Sequence, residues 1–162
     1  MKTLFKAMAV LSVVVCSSIW SSGGNVYRKY DVRNGLTDNS VNDILQDSTG
    51  YLWFAGKDGL NRFNGREFVA YGSLESGFYL NISATCLDAD HQRIWIATTS
   101  SVVLFDPRQG TFEKIASSAT DGVSFHQPHK LAMAHDGRLW IAAENGIYSW
   151  NGTSLKHYNL AS

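Results

Sequence analysis

Cysteine is scarce in this chain: two residues among 162, Cys16 and Cys86. Cys16 lies in an amino-terminal stretch that reads as an export leader. The mature chain then keeps Cys86 alone, and no internal disulfide can form even in an oxidising compartment. Within Ala84-Thr85-Cys86-Leu87, at the place where a first repeat copy has Ile44, this thiol reads as a small buried apolar group and not a reactive one. An excess of either charge is also missing. Lys and Arg together number 14, as do Asp and Glu; setting aside Lys2 and Lys6 leaves 12 against 14, a net charge of about −2. No Lys/Arg cluster stands out, which argues against nucleic acid, because releasing phosphate counterions takes concentrated positive charge. Past the leader, no apolar run approaches the roughly 20 residues that a membrane-crossing helix needs.

Catalytic constellations are absent as well. Asp38, Asp43, Asp58, Glu67, Glu75, Asp88, Asp106 and Glu113 are scattered, mostly at turns, with no carboxylate pair and no nucleophile beside a base. There is no G-x-S-x-G, no P-loop, no G-x-G-x-x-G and no histidine-kinase motif. The five histidines are His91, His126, His129, His135 and His157. His126-Gln127-Pro128-His129 offers two of the three or four ligands zinc requires, and Pro128 prevents a regular helix, so the stretch reads as a loop. Asp88-Ala89-Asp90 and Asp47-Ser48-Thr49-Gly50 lack the acidic series and distal Glu of a calcium loop, and read as turn caps. No metal, cofactor or catalytic residue is expected.

What the chain does have is a repeat. Trp53 in Tyr51-Leu52-Trp53-Phe54-Ala55 recurs as Trp95 in Arg93-Ile94-Trp95-Ile96-Ala97 and as Trp140 in Arg138-Leu139-Trp140-Ile141-Ala142, at spacings of 42 and 45 residues. Two residues after each Trp stands Ala55, Ala97 or Ala142. Further on come Gly59, Ser101 and Gly146, then Leu60, Val102 and Ile147, then Phe63, Phe105 and Trp150. Copies one and three continue in step through Gly65 and Gly152, Phe68 and Leu155, and Tyr71 and Tyr158. Copy two is about three residues longer at Asp106-Pro107-Arg108-Gln109-Gly110 and resumes at Phe112. Short apolar or alternating runs are separated by turn signals such as Asn64-Gly65, Asp136-Gly137 and Asn151-Gly152, whose residues tolerate positive φ. Strands of four to six residues with tight turns every 8–12 residues read as antiparallel meanders. About four strands per ~40–45 residues is the count for one β-propeller blade. The expected fold is therefore all-β: a partial propeller of about three four-stranded blades, with the Trp packed between blades.

The first copy also resembles a known family. Asn34-Gly35-Leu36-Thr37-Asp38-Asn39-Ser40-Val41, Asp47-Ser48-Thr49-Gly50-Tyr51-Leu52-Trp53-Phe54-Ala55 and Asp58-Gly59-Leu60-Asn61-Arg62-Phe63 together resemble the two-component regulator propeller repeat. Copy three keeps the Asp-Gly-x-Leu-Trp-Ile-Ala core and the later Gly-Ile. Copy two departs, with Gln92 and Ser101 in place of the turn glycines. The resemblance runs from about Tyr27 to Tyr158. It implies the periplasmic sensor region of a hybrid two-component system of gut Bacteroidetes, an oligosaccharide ligand, a downstream kinase, an inner-membrane anchor in the full-length parent, and room for a homodimer of that parent.

Residues 1–23 read as a signal peptide: Lys2 and Lys6, an apolar run, then small residues, with cleavage expected between Ser18 and Gly24. Residues 24–38, within which Val26-Tyr27-Arg28-Lys29-Tyr30-Asp31-Val32 alternates apolar with polar, read as a leading strand that would complete the last blade of a closed ring. The repeats then occupy 39–80, 81–123 and 124–162. Propellers close with four to eight blades, so the reading expects the amino-terminal piece of a longer protein or a truncated gene product, or else a three-bladed unit joining copies of itself. Phe78, Tyr79, His91, Arg93, Phe125, His126 and Tyr148 are candidate ligand contacts because they are aromatic or polar and stand in less regular segments. The two longer connections, 72–81 and 117–130, are where function tends to sit. A second reading is an exported propeller enzyme, a lyase or glycosidase acting on polysaccharide; a third is a non-catalytic interaction scaffold.

Overall fold

The computed structural model describes residues 27–72, 81–88, 90, 92–117 and 125–158. The leader, including Cys16, lies outside these residues, as do Phe78, Tyr79, His91 and most of the two longer connections. Apart from a 3-10 turn at Val32–Asn34, all regular structure among the described residues is β. The strands are β1 Val41–Gln46, β2 Leu52–Gly56, β3 Gly59–Phe63, β4 Phe68–Tyr71, β5 Ile82–Leu87, β6 Ile94–Thr98, β7 Ser101–Asp106, β8 Thr111–Ser117, β9 Lys130–Met133, β10 Leu139–Ala143, β11 Gly146–Trp150 and β12 Leu155–Tyr158. They form three four-stranded antiparallel sheets, each ordered as in the sequence. The first strands β1, β5 and β9 lie side by side. Each repeat copy is one blade, and the chain is three successive blades of a β-propeller.

Register makes the blades equivalent. Trp53 pairs with Arg62, Trp95 with Leu104 and Trp140 with Ser149 across the second and third strands. The hairpin between those strands is tight in all three blades, by two chemistries. Gly59 and Gly146 have φ of +124° and +132°, and a Cβ there would stand 2.7 Å from Tyr71 O and 2.7 Å from His157 Nε2 respectively. Blade two has Ser101 instead. There the Thr98 hydroxyl accepts from Ser101 N at 3.1 Å and shares a 2.8 Å hydrogen bond with the Ser101 hydroxyl, closing the turn without a glycine.

Two alignments shift on the structure. Cys86 faces Trp95 as Leu45 faces Trp53, so its equivalent is Leu45 and not Ile44. The turn before β6 has six residues against five before β2, and lining the copies up on Trp hides that extra residue. At the next turn Phe105 pairs with Phe112 where Phe63 pairs with Phe68, so blade two is two residues longer there rather than three.

Two apolar clusters hold the blades together. Between the first two lie Trp53, Ala55 and Leu60 against Ile82, Ile94, Ile96, Val103 and Phe105. Between the second and third lie Trp95, Ala97, Val102 and Leu104 against Leu131, Leu139, Ile141 and Tyr148. The period-2 alternation sends odd residues of β2 to one face and even residues to the other. One face of each sheet therefore presents Trp and Ala, and the opposite face of the next sheet presents branched aliphatics. Polar groups reinforce the joint: Asp43 Oδ2 accepts from Thr85 N at 2.7 Å and from its hydroxyl at 2.9 Å. A β-bulge at Val41/Asp43 breaks the ladder beside this link.

The opposite face of blade one is covered by the segment preceding it. No strand forms within residues 27–40; this stretch runs as coil and a 3-10 turn. Tyr30 sits edge-on to Phe63 and Phe68 at 5.1 and 5.5 Å, and Leu36 is buried. Thr37 N donates to Asn61 Oδ1 at 3.1 Å while Asn61 Nδ2 donates to Thr37 Oγ1 at 2.9 Å. Alternation alone predicted a strand here. A strand needs a sheet edge to pair with, and this stretch lies on a face.

Blade three differs from the others on its Trp face. Trp140 and Ala142 are only half-buried, and Ile147 is 36% exposed where Leu60 and Val102 are at 0% and 1%. Trp140 stacks on Tyr158 of its own sheet at 5.4 Å. Unequal burial predicts unequal cost. Trp53→Ala is expected to destabilise the chain by about 3–5 kcal/mol and Trp140→Ala by roughly 1–2 kcal/mol. Urea unfolding followed by circular dichroism measures both, and equal losses would contradict the inter-blade role of Trp53.

Candidate functional site

Each of the first two blades ties its indole to the turn before it. Trp53 Nε1 donates to Asp47 Oδ2 at 2.7 Å, and Trp95 Nε1 donates to Asp88 Oδ1 at 3.2 Å. The other Asp47 oxygen accepts from Thr49 N at 2.9 Å, Thr49 Oγ1 at 2.7 Å and Tyr51 N at 3.0 Å. Asp88 is nearly buried and pairs with Arg93. Partial burial of Asp47 works against its charge, but donation from Thr49, Trp53 and Tyr51 outweighs it and holds the carboxyl below the usual range. Copy three carries Ala134 at this turn position, one residue after β9, and Ala134 offers no side-chain acceptor.

Beside these turns, blades one and two enclose a cleft of ≈ 470 Å³. One wall carries Tyr51 and Arg62; the other carries Leu87, Gln92, Ile94 and Arg108. The Arg62 guanidinium lies 4.7 Å from the Tyr51 ring centre, 5.9 Å from that of Trp53 and 5.7 Å from that of Tyr71. The cation thus lies over the faces of three rings. Arg108 is looser: its Nε stands 3.7 Å from Asp106 and most of its side chain is exposed. The volume and the mixture of apolar wall with a few cationic groups suit a small polar ligand.

The sequence-nominated contacts do not converge on this cleft. Phe125 and Tyr148 are buried at 3% and 1% and meet edge-to-face at 4.8 Å in the joint between blades two and three. Arg93 is committed to Asp88, and His126 is exposed beside Asn145. Among the described residues, no three His, Cys, Asp or Glu side chains converge in a metal-like group. Cys86 is half-buried beside the second joint, and burial, aided by Asp88, pushes its thiol up to about 12, so it is protonated and inert at neutral pH. Of the nominated repeat core, Trp53, Trp95, Ala55, Ala97, Phe63 and Phe105 are buried, while Trp150 is half-buried. Arg62 was missed as a site residue. The signal was available: at its place in the period-2 pattern copy two has Leu104 and copy three Ser149.

Sheet order, register and the shared Trp joint define a β-propeller segment. Within it, residues 35–58 match the family described as two component regulator propeller, which upholds over those residues the resemblance seen in copy one. The chain is 38% identical over 69 residues to histidine kinase P4 of Formosa agariphila, an alignment covering 40% of this chain and 5% of that protein. Its fold is similar to the extracellular domain of a putative hybrid two component system from B. thetaiotaomicron, with a TM-score of 0.67, 24% identity, and coverage of 82% of this chain and 18% of that one. It is also similar in fold to an auxiliary nutrient binding protein from Bacteroides ovatus, with a TM-score of 0.54, 16% identity, and coverage of 78% and 33%. The chain thus spans a small part of the relatives it matches. Among the described residues, no helix is long and apolar enough to cross a membrane.

The Asp47 hub gives a pH-dependent expectation. A carboxyl held below its unfolded value contributes stability that is fully present above about pH 4–5 and is lost as pH falls through the folded value. Asp47→Ala is expected to cost about 1–3 kcal/mol at pH 7. The gap to the wild type should narrow below pH 4 in urea titrations. A gap independent of pH would show that the charge on Asp47 contributes nothing.

Proposed function

We propose that this chain is the amino-terminal part of the extracytoplasmic sensor region of a hybrid two-component system, and that the propeller it helps to build binds oligosaccharides. The observation that carries the reading is the family match over residues 35–58, which falls on the best-formed repeat copy and its lead-in. The similarity to histidine kinase P4 and the fold shared with an extracellular domain of a putative hybrid two component system support it. So does the tripartite layout of residues 1–23, which suits export to the periplasm. The half-buried Trp140 face is the one a further blade would cover, as blades two and three cover Trp53 and Trp95. The chain then senses rather than catalyses, and the kinase belongs to another part of the parent.

Two measurements test this. Expressed with its leader in a Gram-negative host, the chain should reach the periplasm and show a new amino terminus between Ser18 and Gly24; retention in the cytosol would sink the export reading. Calorimetric titration with a panel of oligosaccharides, with chromatography of the mixtures afterwards, should show binding without cleavage. Product formation would favour the exported enzyme instead.

A further inference from the structure

We propose that the cleft between blades one and two binds a carboxylate-bearing sugar, with Arg62 receiving the carboxylate; the sugar class rests on the function proposed above. Arg62 occupies a position whose counterpart in blade two, Leu104, packs in the next joint. Its register equivalents, Leu104 and Ser149, are both buried, so the blade does not need a cation there. Removing a guanidinium from water is costly unless something compensates it. Arg33, Arg93, Arg108 and Arg138 each have an aspartate partner. Half-buried Arg62 has only rings: among the described residues, no carboxylate or carbonyl accepts from it. The guanidinium carbon lies over the three rings, contacts that use none of its N–H donors in a hydrogen bond and leave them for a ligand in the cleft.

The geometry selects the chemistry. A planar fork of donors suits a carboxylate, which it can hold through two parallel hydrogen bonds. Asp47, on the same side of the cleft, forms no ion pair with Arg62; its oxygens accept from Thr49, Tyr51 and Trp53 instead. Across the cleft Arg108 adds a second, loosely held cation. Half-buried Leu87 and Pro107 give an apolar wall suited to the C–H face of a pyranose, and Gln92 adds an exposed amide. A cleft of ≈ 470 Å³ is toward the small end of small-molecule sites and fits one or two sugar rings rather than a polymer. A uronate combines these demands; a neutral sugar leaves Arg62 unpaired, and a bare anion leaves the apolar wall unused.

The test is titration calorimetry on the full chain with digalacturonate, its neutral counterpart galactobiose, and acetate. Digalacturonate should bind at least tenfold more tightly than either of the others, with affinity falling as salt is raised. Arg62→Leu places in blade one the residue that blade two carries at the same register, so it should retain the wild-type circular dichroism and unfolding midpoint yet lose tenfold or more in affinity. Should that variant misfold, Arg62→Gln serves, and Arg62→Lys should keep part of the binding. Equal affinity for the acidic and neutral disaccharides, an unchanged affinity in Arg62→Leu, or no binding of digalacturonate overturns the assignment. Neutral oligosaccharides bound independently of Arg62 would overturn the cleft while leaving the oligosaccharide sensor standing. Arg62-dependent binding equally strong for acetate would instead remove the sugar.

Discussion

The structure depends on the burial of an indole between two sheets. Trp53 is 1% exposed in the joint between blades one and two, and Trp95 is 5% exposed in the next. A blade on its own is a four-stranded meander with two faces, and neither can be hidden within the blade. Stacking the Trp face of one sheet on the Ile/Leu/Val face of the next hides both at once. The alanine two residues after the indole follows from the same geometry. Ala55 and Ala97 are fully buried beside the inner strand of the next blade, where a larger side chain would force the sheets apart.

The indole has a polar edge that must also be satisfied. In the first two blades the aspartate of the preceding turn accepts its N–H. One carboxylate thus caps a turn and fixes the ring that fills the joint, which ties local turn chemistry to packing between blades. Where copy three has Ala134, its Trp140 stacks on Tyr158 and stays half-buried. The weaker local anchoring and the uncovered face occur in the same blade.

The cleft grows out of this joint. Residues of the turns that hold Trp53 and Trp95 line it, together with Arg62, Leu87 and Arg108. Arg62 stands there because it shares a face with Trp53 and Leu60, and its cation is steadied by rings whose first role is packing. A repeat position used for burial in blades two and three can therefore serve recognition in blade one at little cost to the fold.

Periodicity was legible in the residues themselves. The spacing of the three tryptophans, the Ala two places on and the Asn-Gly and Asp-Gly turns determined the strand count, the hairpins and the all-β class, because these are local properties that recur. Tertiary structure alone decided what each face meets. It placed residues 27–40 over blade one instead of in a strand, moved Cys86 opposite Trp95 through one extra turn residue, buried Phe125 and Tyr148 in a joint, and set Arg62 among three aromatic rings. The physical reason is that neighbours across a propeller joint lie about one repeat apart in sequence. Alternation tells which residues share a face of a sheet; only the stacking of whole blades tells what that face touches.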